Sequence, residues 1–294
     1  MSTREQLLRY LLIVRKLRQS KRTSAKDLFR FLRDESELQG YDFDISVRTL
    51  QRNFKDIESI FGIVIKCDRS TQQYYIYEDS LDDMNNRLLE TFDLIYALNV
   101  AEKKTPYLIL EKRADAGTEY MHGLIYAIQN QKIITISHLK FFEDTPTVRE
   151  LQPYALKEFK GRWYIFAVET NTKAIKNFGL DRIKKLDISN KKFSKNTDID
   201  AEIYYKDCFG IINPENQPPE KIVLWFDRSQ AGYLETLPLH HSQKFEQVAD
   251  NYIIVTYFMK ITYDLEREIL SYGHHAKVLE PAWWRDVLYG NGVY

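Results

Sequence analysis

The sequence predicts a multidomain α+β chain, and three patterns along it carry that expectation. Near the N-terminus, three stretches with apolar residues at steps of three and four precede two short extended runs. In the middle, five extended runs follow one another with only short loops between them. Toward the C-terminus the order is strand, helix, strand, strand, helix, strand, as in a ferredoxin-like βαββαβ unit. At 294 residues the chain is long for a single core. The divisions expected are residues 1–80, a helical linker over 81–130, residues 131–207, a second linker over 208–220, and residues 221–294.

In the first region, Leu7, Leu8, Leu11, Leu12 and Val14 predict a helix from roughly Arg4 to Arg18. "TSAKDLFRFLRD" predicts a second, with Ser24 as N-cap, Asp27 in the first turn, and Leu28, Phe29, Phe31 and Leu32 on its buried side. "DISVRTLQRNFKDIESIFG" predicts a third, capped by Ser46 and ended by Gly62, with Val47, Leu50, Phe54, Ile57 and Phe61 facing the core. "IVIKC" and "QYYIY" around the polar "DRSTQ" predict a hairpin. "NRLLETFDLIYALNVA" and "GTEYMHGLIYAIQNQ" read as helices, whereas "KKTPYLILEK" is ambiguous.

The runs "IITISHLKF", "RELQPYAL", "RWYIFAVE", "AIKNFGL" and "RIKKLDI" predict a small β-barrel. "CFGIINPENQPPE" holds three prolines and reads as a linker, with Phe209 and Gly210 at a hinge. In the last region the strands are "KIVLWF", "KFEQVA", "YIIVTYFM" and "AKVLEP", and the helices lie around "SQAGYLETL" and "DLEREILSYG".

Composition excludes several classes of protein. No run approaches 18 apolar residues, so no membrane span is expected. "MSTREQLLRY" has charges where a signal peptide needs an apolar centre. Cys67 and Cys208 have no CxxC neighbour, which fits a reducing, cytoplasmic setting. The P-loop, dinucleotide-binding, HExxH and GxSxG motifs are absent, so no enzyme is expected. The adjacent pairs His240–His241 and His274–His275 lack the acidic or thiol partners of a metal site and read as loop or packing residues. Nothing calls for a metal or cofactor.

The net charge of zero hides an uneven distribution. From Met1 to Arg33 ten basic residues face only Glu5 and Asp27, a surplus of eight; from Gln131 to Asp187 eleven basic residues face seven acidic ones, a surplus of four. Phosphate-bearing partners need such local surpluses, although a solvated helix face has the same composition.

With Val47, Leu50, Phe54 and Ile57 turned inward, Arg48, Thr49, Gln51, Arg52 and Lys55 share the other side of the third helix, near its N-terminus. A recognition helix presents side chains to the major groove there. Arginine reads guanine and glutamine reads adenine with two hydrogen bonds each. Lys66 and Arg69 in the hairpin are placed for flanking phosphates. Three helices and this wing make a winged helix–turn–helix that would bind double-stranded DNA.

The middle region pairs arginines and a histidine with aromatic rings, the groups that phosphates and bases require. His138, Arg149, Tyr154, Trp163, Tyr164 and Arg182 form the expected effector site. Along "GRWYIFAVE", Trp163 alternates with Ile165 and Ala167, and Tyr164 with Phe166 and Val168. Alternation does not say which ring faces a pocket.

These residues resemble those of the WYL-domain transcriptional regulators. "SVRTLQRNF" is similar to their Arg-Thr-x-x-Arg-Asp recognition helix, with Asn53 in place of the aspartate. "GRWYIFAVE" resembles the Trp-Tyr-Leu signature, with Ile165 as its third residue. "NFGLDRI" resembles the later Phe-x-x-Asp-Arg-Ile element, with Gly179 where many members carry arginine. "KIVLWF…HHAKVLEP" is similar to the C-terminal WCX extension. The resemblance implies an Sm-like barrel in the middle and a WCX domain at the end. It also implies a bacterial, often homodimeric regulator that senses nucleotides or single-stranded nucleic acid. A DNA-binding regulator is therefore expected. The alternative is a non-transcriptional accessory protein that binds RNA or nucleotides and modulates an effector enzyme.

Overall fold

The computed structural model describes residues 3–77, 91 and 117–290. Apart from Thr91, the helix expected at "NRLLETFDLIYALNVA" and the ambiguous "KKTPYLILEK" lie outside the described residues. The chain divides into two compact units, Met1–Lys112 and Arg113–Tyr294. No helix of the described residues is long and apolar enough to cross a membrane.

In the first unit, α1 (Thr3–Ser20), α2 (Ala25–Gln39) and α3 (Val47–Phe61) surround one core, joined by β1 (Thr23–Ser24), β2 (Ile65–Asp68) and β3 (Gln73–Ile76). The strands form an antiparallel sheet in the order β1-β3-β2. Both expected N-caps are made: Ser24 Oγ accepts from Asp27 N at 3.1 Å, and Ser46 Oγ from Thr49 N at 3.2 Å. Gly40 and Gly62 end α2 and α3 in the left-handed conformation and donate back to Ser36 O and Glu58 O. Leu12, Leu28, Leu32, Leu50 and Ile57 are fully buried, each worth about 1.5–3 kcal/mol.

Three expectations fail in this unit. Val47 is 50% exposed, because it is the first residue of α3 and lies beyond the core that Leu50 reaches. Leu7 is also exposed, at the edge of the α1 stripe. Arg9, one of the ten basic residues of the N-terminal surplus, is buried. Its Nε donates at 2.9 Å to the Asn53 amide oxygen, whose amide nitrogen donates to Thr49 O at 3.3 Å. Asn53 is itself fully buried, so this polar pair joins α1 to the inner side of α3.

The second unit begins with a 3-10 turn and α4 (Met121–Gln129). Five strands follow: β4 (Lys132–His138), β5 (Thr147–Phe159), β6 (Arg162–Glu169), β7 (Ile175–Gly179) and β8 (Ile183–Lys192). They form one antiparallel sheet in the order β7-β6-β5-β4-β8. A closed ladder was expected of a barrel. Among the described residues no ladder joins β7 to β8, and the 3-10 turn Leu180–Arg182 connects these two edges.

Both faces of the sheet are apolar. On one, Ile134, Ile136, Leu151, Ile165, Ala167 and Phe178 pack with Leu124 and Ala127 of α4. On the other, Tyr154, Phe166 and Val168 pack with Phe193 and with Tyr205 of α5 (Ala201–Tyr205).

The rest of the unit is β9 (Glu220–Asp227), α6 (Ala231–Thr236), β10 (Lys244–Val248), β11 (Tyr252–Met259), α7 (Tyr263–Ser271), β12 (Ala276–Glu280) and α8 (Ala282–Tyr289). The sheet order is β10-β11-β9-β12, antiparallel throughout. Helix α8 went unforeseen; it places Trp284 in the core.

The chain just after the expected hinge is bonded to two side chains. The backbone amides of Ile211 and Ile212 donate to Asp264 Oδ2 at 2.9 and 3.3 Å, and Asn177 Nδ2 donates to Ile211 O at 2.7 Å. Gly210 has φ +93°, and a Cβ there would collide with the Asp264 carboxylate. Gly210→Ala is expected to destabilise this unit by about 1–3 kcal/mol. Urea unfolding followed by tryptophan emission measures it, and a wild-type midpoint would show that Asp264 yields without cost.

Candidate functional site

Two groups of residues stand out. The first lies on α3. Arg48, Gln51, Arg52 and Lys55 are exposed and Thr49 is half-buried, while Leu50, Asn53, Phe54 and Ile57 fill the opposite side. Among the described residues none of Arg48, Gln51, Arg52 and Lys55 has an ion pair or hydrogen bond through its side chain. The face therefore keeps its full positive charge for a ligand. In the hairpin, Lys66 Nζ lies 3.1 Å from the Tyr77 ring centroid, and Arg69 is exposed in the turn. Arg22 anchors that turn: Nη1 donates to Asp68 Oδ2 at 2.7 Å, and Ser70 donates to Asp68 Oδ1. These bonds hold the Asp68 carboxyl well below the usual carboxylate range, the two from Ser70 counting most.

The second group lies where β4, β5 and the 3-10 turn meet. His138 is buried and pairs in register with Ile183, next to the turn. Its ring meets Phe178 edge-on at 5.3 Å. Burial, and then the charge of Arg182, push its pKa down to about 4 despite the opposing charge of Asp181. The imidazole is thus neutral at pH 7. Arg182 Nε stands 3.7 Å from Asp181 Oδ1, an ion pair too long for a hydrogen bond. Arg162 Nη1 donates to Asp181 Oδ2 at 2.6 Å. Three buried polar atoms here make no hydrogen bond: His138 Nε2, and Asp181 Oδ1 and Arg182 Nε, which face each other only as the long ion pair. Only seven such side-chain atoms occur among the described residues, and three of them meet at this junction.

Arg149 adjoins the group. Its Nη1 donates to Glu169 Oε1 at 2.7 Å, and Lys176 Nζ and Thr172 Oγ1 donate to Glu169 Oε2. These hydrogen bonds, that of Lys176 foremost, lower the Glu169 pKa to about 2.

The structure brings His138, Arg149 and Arg182 together, with Tyr164 within reach of the arginines' charge, and places Trp163 and Tyr154 in the cores. Trp163 packs half-buried against the α4-side core with Ile165 and Ala167. Tyr154 sits in the opposite core, where its hydroxyl accepts from Asn196 N at 3.0 Å. Tyr164 alternates with Phe166 and Val168 onto Tyr154's face of the sheet; burial raises its pKa, and the charges of Arg162, Asp181 and Arg182 reach it. Of the two adjacent rings, Trp163 is thus the core residue and Tyr164 the one near the arginines. His240, one of the adjacent histidines, is a packing residue: Nε2 is 2.8 Å from Lys206 O and Nδ1 is 2.7 Å from Ser242 Oγ. No group of three potential metal ligands occurs among the described residues.

The candidates omitted Arg162, Asp181 and Phe141. The Phe141 ring centroid is 4.6 Å from Arg182 Cζ and 5.7 Å from Arg162 Cζ. The available signal was "LKFFED", two phenylalanines inside an otherwise polar loop.

Comparison with known families places this sheet and its cluster. The model of the WYL domain matches residues 119–188. That segment is a WYL domain. The model of the WCX domain matches residues 218–289. The WYL domain thus starts ahead of α4, whose Leu124 and Ala127 complete its core, and it contains His138, Arg149 and Arg182. The departure at Gly179 has a steric counterpart in this WYL domain: a Cβ at that position would come 2.5 Å from Asp181 Oδ1 and 2.8 Å from Arg182 Nη2. No curated protein matches the chain. Among solved structures, proteasome accessory factor B/C (PafBC) of Arthrobacter aurescens is 19% identical over 97% of this chain and 46% of its own, with a TM-score of 0.39. A CRISPR Cas-related protein is 9% identical over 97% of this chain and 82% of its own, with a TM-score of 0.38. The chain thus spans less than half the length of the PafBC chain.

Proposed function

We propose that this chain is a cytoplasmic, homodimeric transcriptional regulator. Its first unit is a winged helix–turn–helix that binds double-stranded DNA. Its WYL domain, an Sm-like fold, senses a nucleotide or single-stranded nucleic acid, and a ferredoxin-like WCX domain follows. The observation that carries the reading is the unpaired cationic face of α3, a helix capped at both ends. The effector half rests on the neutral His138, the arginines and the three buried atoms there that make no hydrogen bond. No catalytic step enters this reading.

Incubating the full chain with random genomic fragments and sequencing those it retains tests the reading. One enriched palindrome is the expected result. Enrichment of single strands alone favours the accessory-protein alternative, and no enrichment overturns both.

A further inference from the structure

We propose that Phe141 fills, in the free protein, the slot that a planar ring of the effector takes when it binds, flanked by Arg162 and Arg182. The inference rests on reading this cluster as the effector site, and it adds how that site is closed and what opens it.

Phe141 lies in the β4–β5 loop with its ring against both guanidinium groups, at 4.6 and 5.7 Å. Yet it is 66% exposed, and neighbouring Phe142 is fully exposed. Such a ring gains little from burial. Its hold comes from cation–π contacts, which are weak where water has access. It is therefore displaceable by a ring that makes the same contacts and further ones.

The further contacts are present. Beside the arginines are His138 Nε2, Asp181 Oδ1 and Arg182 Nε, buried atoms that make no hydrogen bond, and His138 is only 5% exposed. Arg149, Arg162, Lys176 and Arg182 give four positive charges against Glu169 and Asp181, a surplus of two. The bare Gly179 leaves room for the Arg182 guanidinium and the Asp181 carboxylate, which a Cβ would crowd. A ligand that satisfies these groups carries an anion for the guanidinium edges, a planar ring for their faces, and polar edge atoms for His138 and Asp181. Nucleotides and single-stranded oligonucleotides have all three.

Fluorescence-anisotropy titrations test this, using the full chain and a labelled single-stranded oligodeoxynucleotide of mixed sequence. An Arg52→Ala background weakens binding through α3 equally in every variant compared. Phe141→Ala is expected to tighten binding about five- to tenfold, the gain from removing an internal competitor held by partly exposed cation–π contacts. Arg182→Gln, verified as folded by its tryptophan emission, is expected to weaken binding. Unchanged binding by Phe141→Ala overturns the proposal, and so does weaker binding, which would make Phe141 a stacking platform. Wild-type binding by Arg182→Gln shows instead that the cluster is not the effector site. No binding by any variant overturns both.

Discussion

Arg52→Ala is expected to weaken binding of the selected DNA site ten- to hundredfold and to leave thermal unfolding unchanged. Arg52 is exposed on α3, and no described residue holds its side chain. Its loss costs the fold nothing, since Leu50, Phe54 and Ile57 keep the helix on its core and Ser46 and Gly62 keep its ends. A bidentate contact to a base contributes about 1–3 kcal/mol of discrimination, the source of the expected factor. Lys55→Ala is expected to act more weakly and evenly on all sequences, lowering the slope of log affinity against log salt by about 0.9. Leu50→Ala also abolishes binding, but by opening a cavity that costs about 2–5 kcal/mol. The melting curve therefore separates loss of contact from loss of fold. Unchanged affinity of Arg52→Ala would remove α3 as the reading element.

The ends and inner face of α3 were legible because caps and helical periodicity are local. Ser46, Leu50, Phe54, Ile57 and Gly62 stand where the sequence puts them. Arg9 and Asn53 were not legible, because hydropathy cannot show two polar residues that satisfy each other across two helices. In the WYL domain alternation carried less information. Its sheet is apolar on both faces, so Trp163 and Phe166 are both core residues of opposite sign. Tyr154 went to the second core through a register shift between Pro153 and Ala155, and through α5, which covers that face. Arg149 and Arg182 could be named from their chemistry. Their surroundings could not, because Asp181, Arg162 and Phe141 come from two turns and the start of a strand.

Acid is expected to unfold the second unit in two steps set by His138 and Glu169. All four tryptophans, Trp163, Trp225, Trp283 and Trp284, lie in this unit, so emission reports its unfolding alone. The folded state holds His138 neutral down to about pH 4, whereas the unfolded chain protonates it near 6.5. The unfolded state thus binds the extra proton first, and stability falls as the pH drops from 6.5 to about 4. That shift corresponds to at most about 3 kcal/mol. Glu169 acts lower, between its ordinary 4.5 and about 2, where protonation releases Lys176 and Arg149. Urea titrations at successive pH values measure both steps. His138→Gln is expected to flatten the upper step, and Glu169→Gln the lower one. At pH 7, Glu169→Gln is expected to cost about 2–3 kcal/mol, below the value for a fully buried pair because Arg149 and Lys176 are partly in water. An upper step that survives His138→Gln would mean that another group sets it and that His138 titrates alike in the folded and unfolded chain, against the burial and the Arg182 charge that hold it neutral.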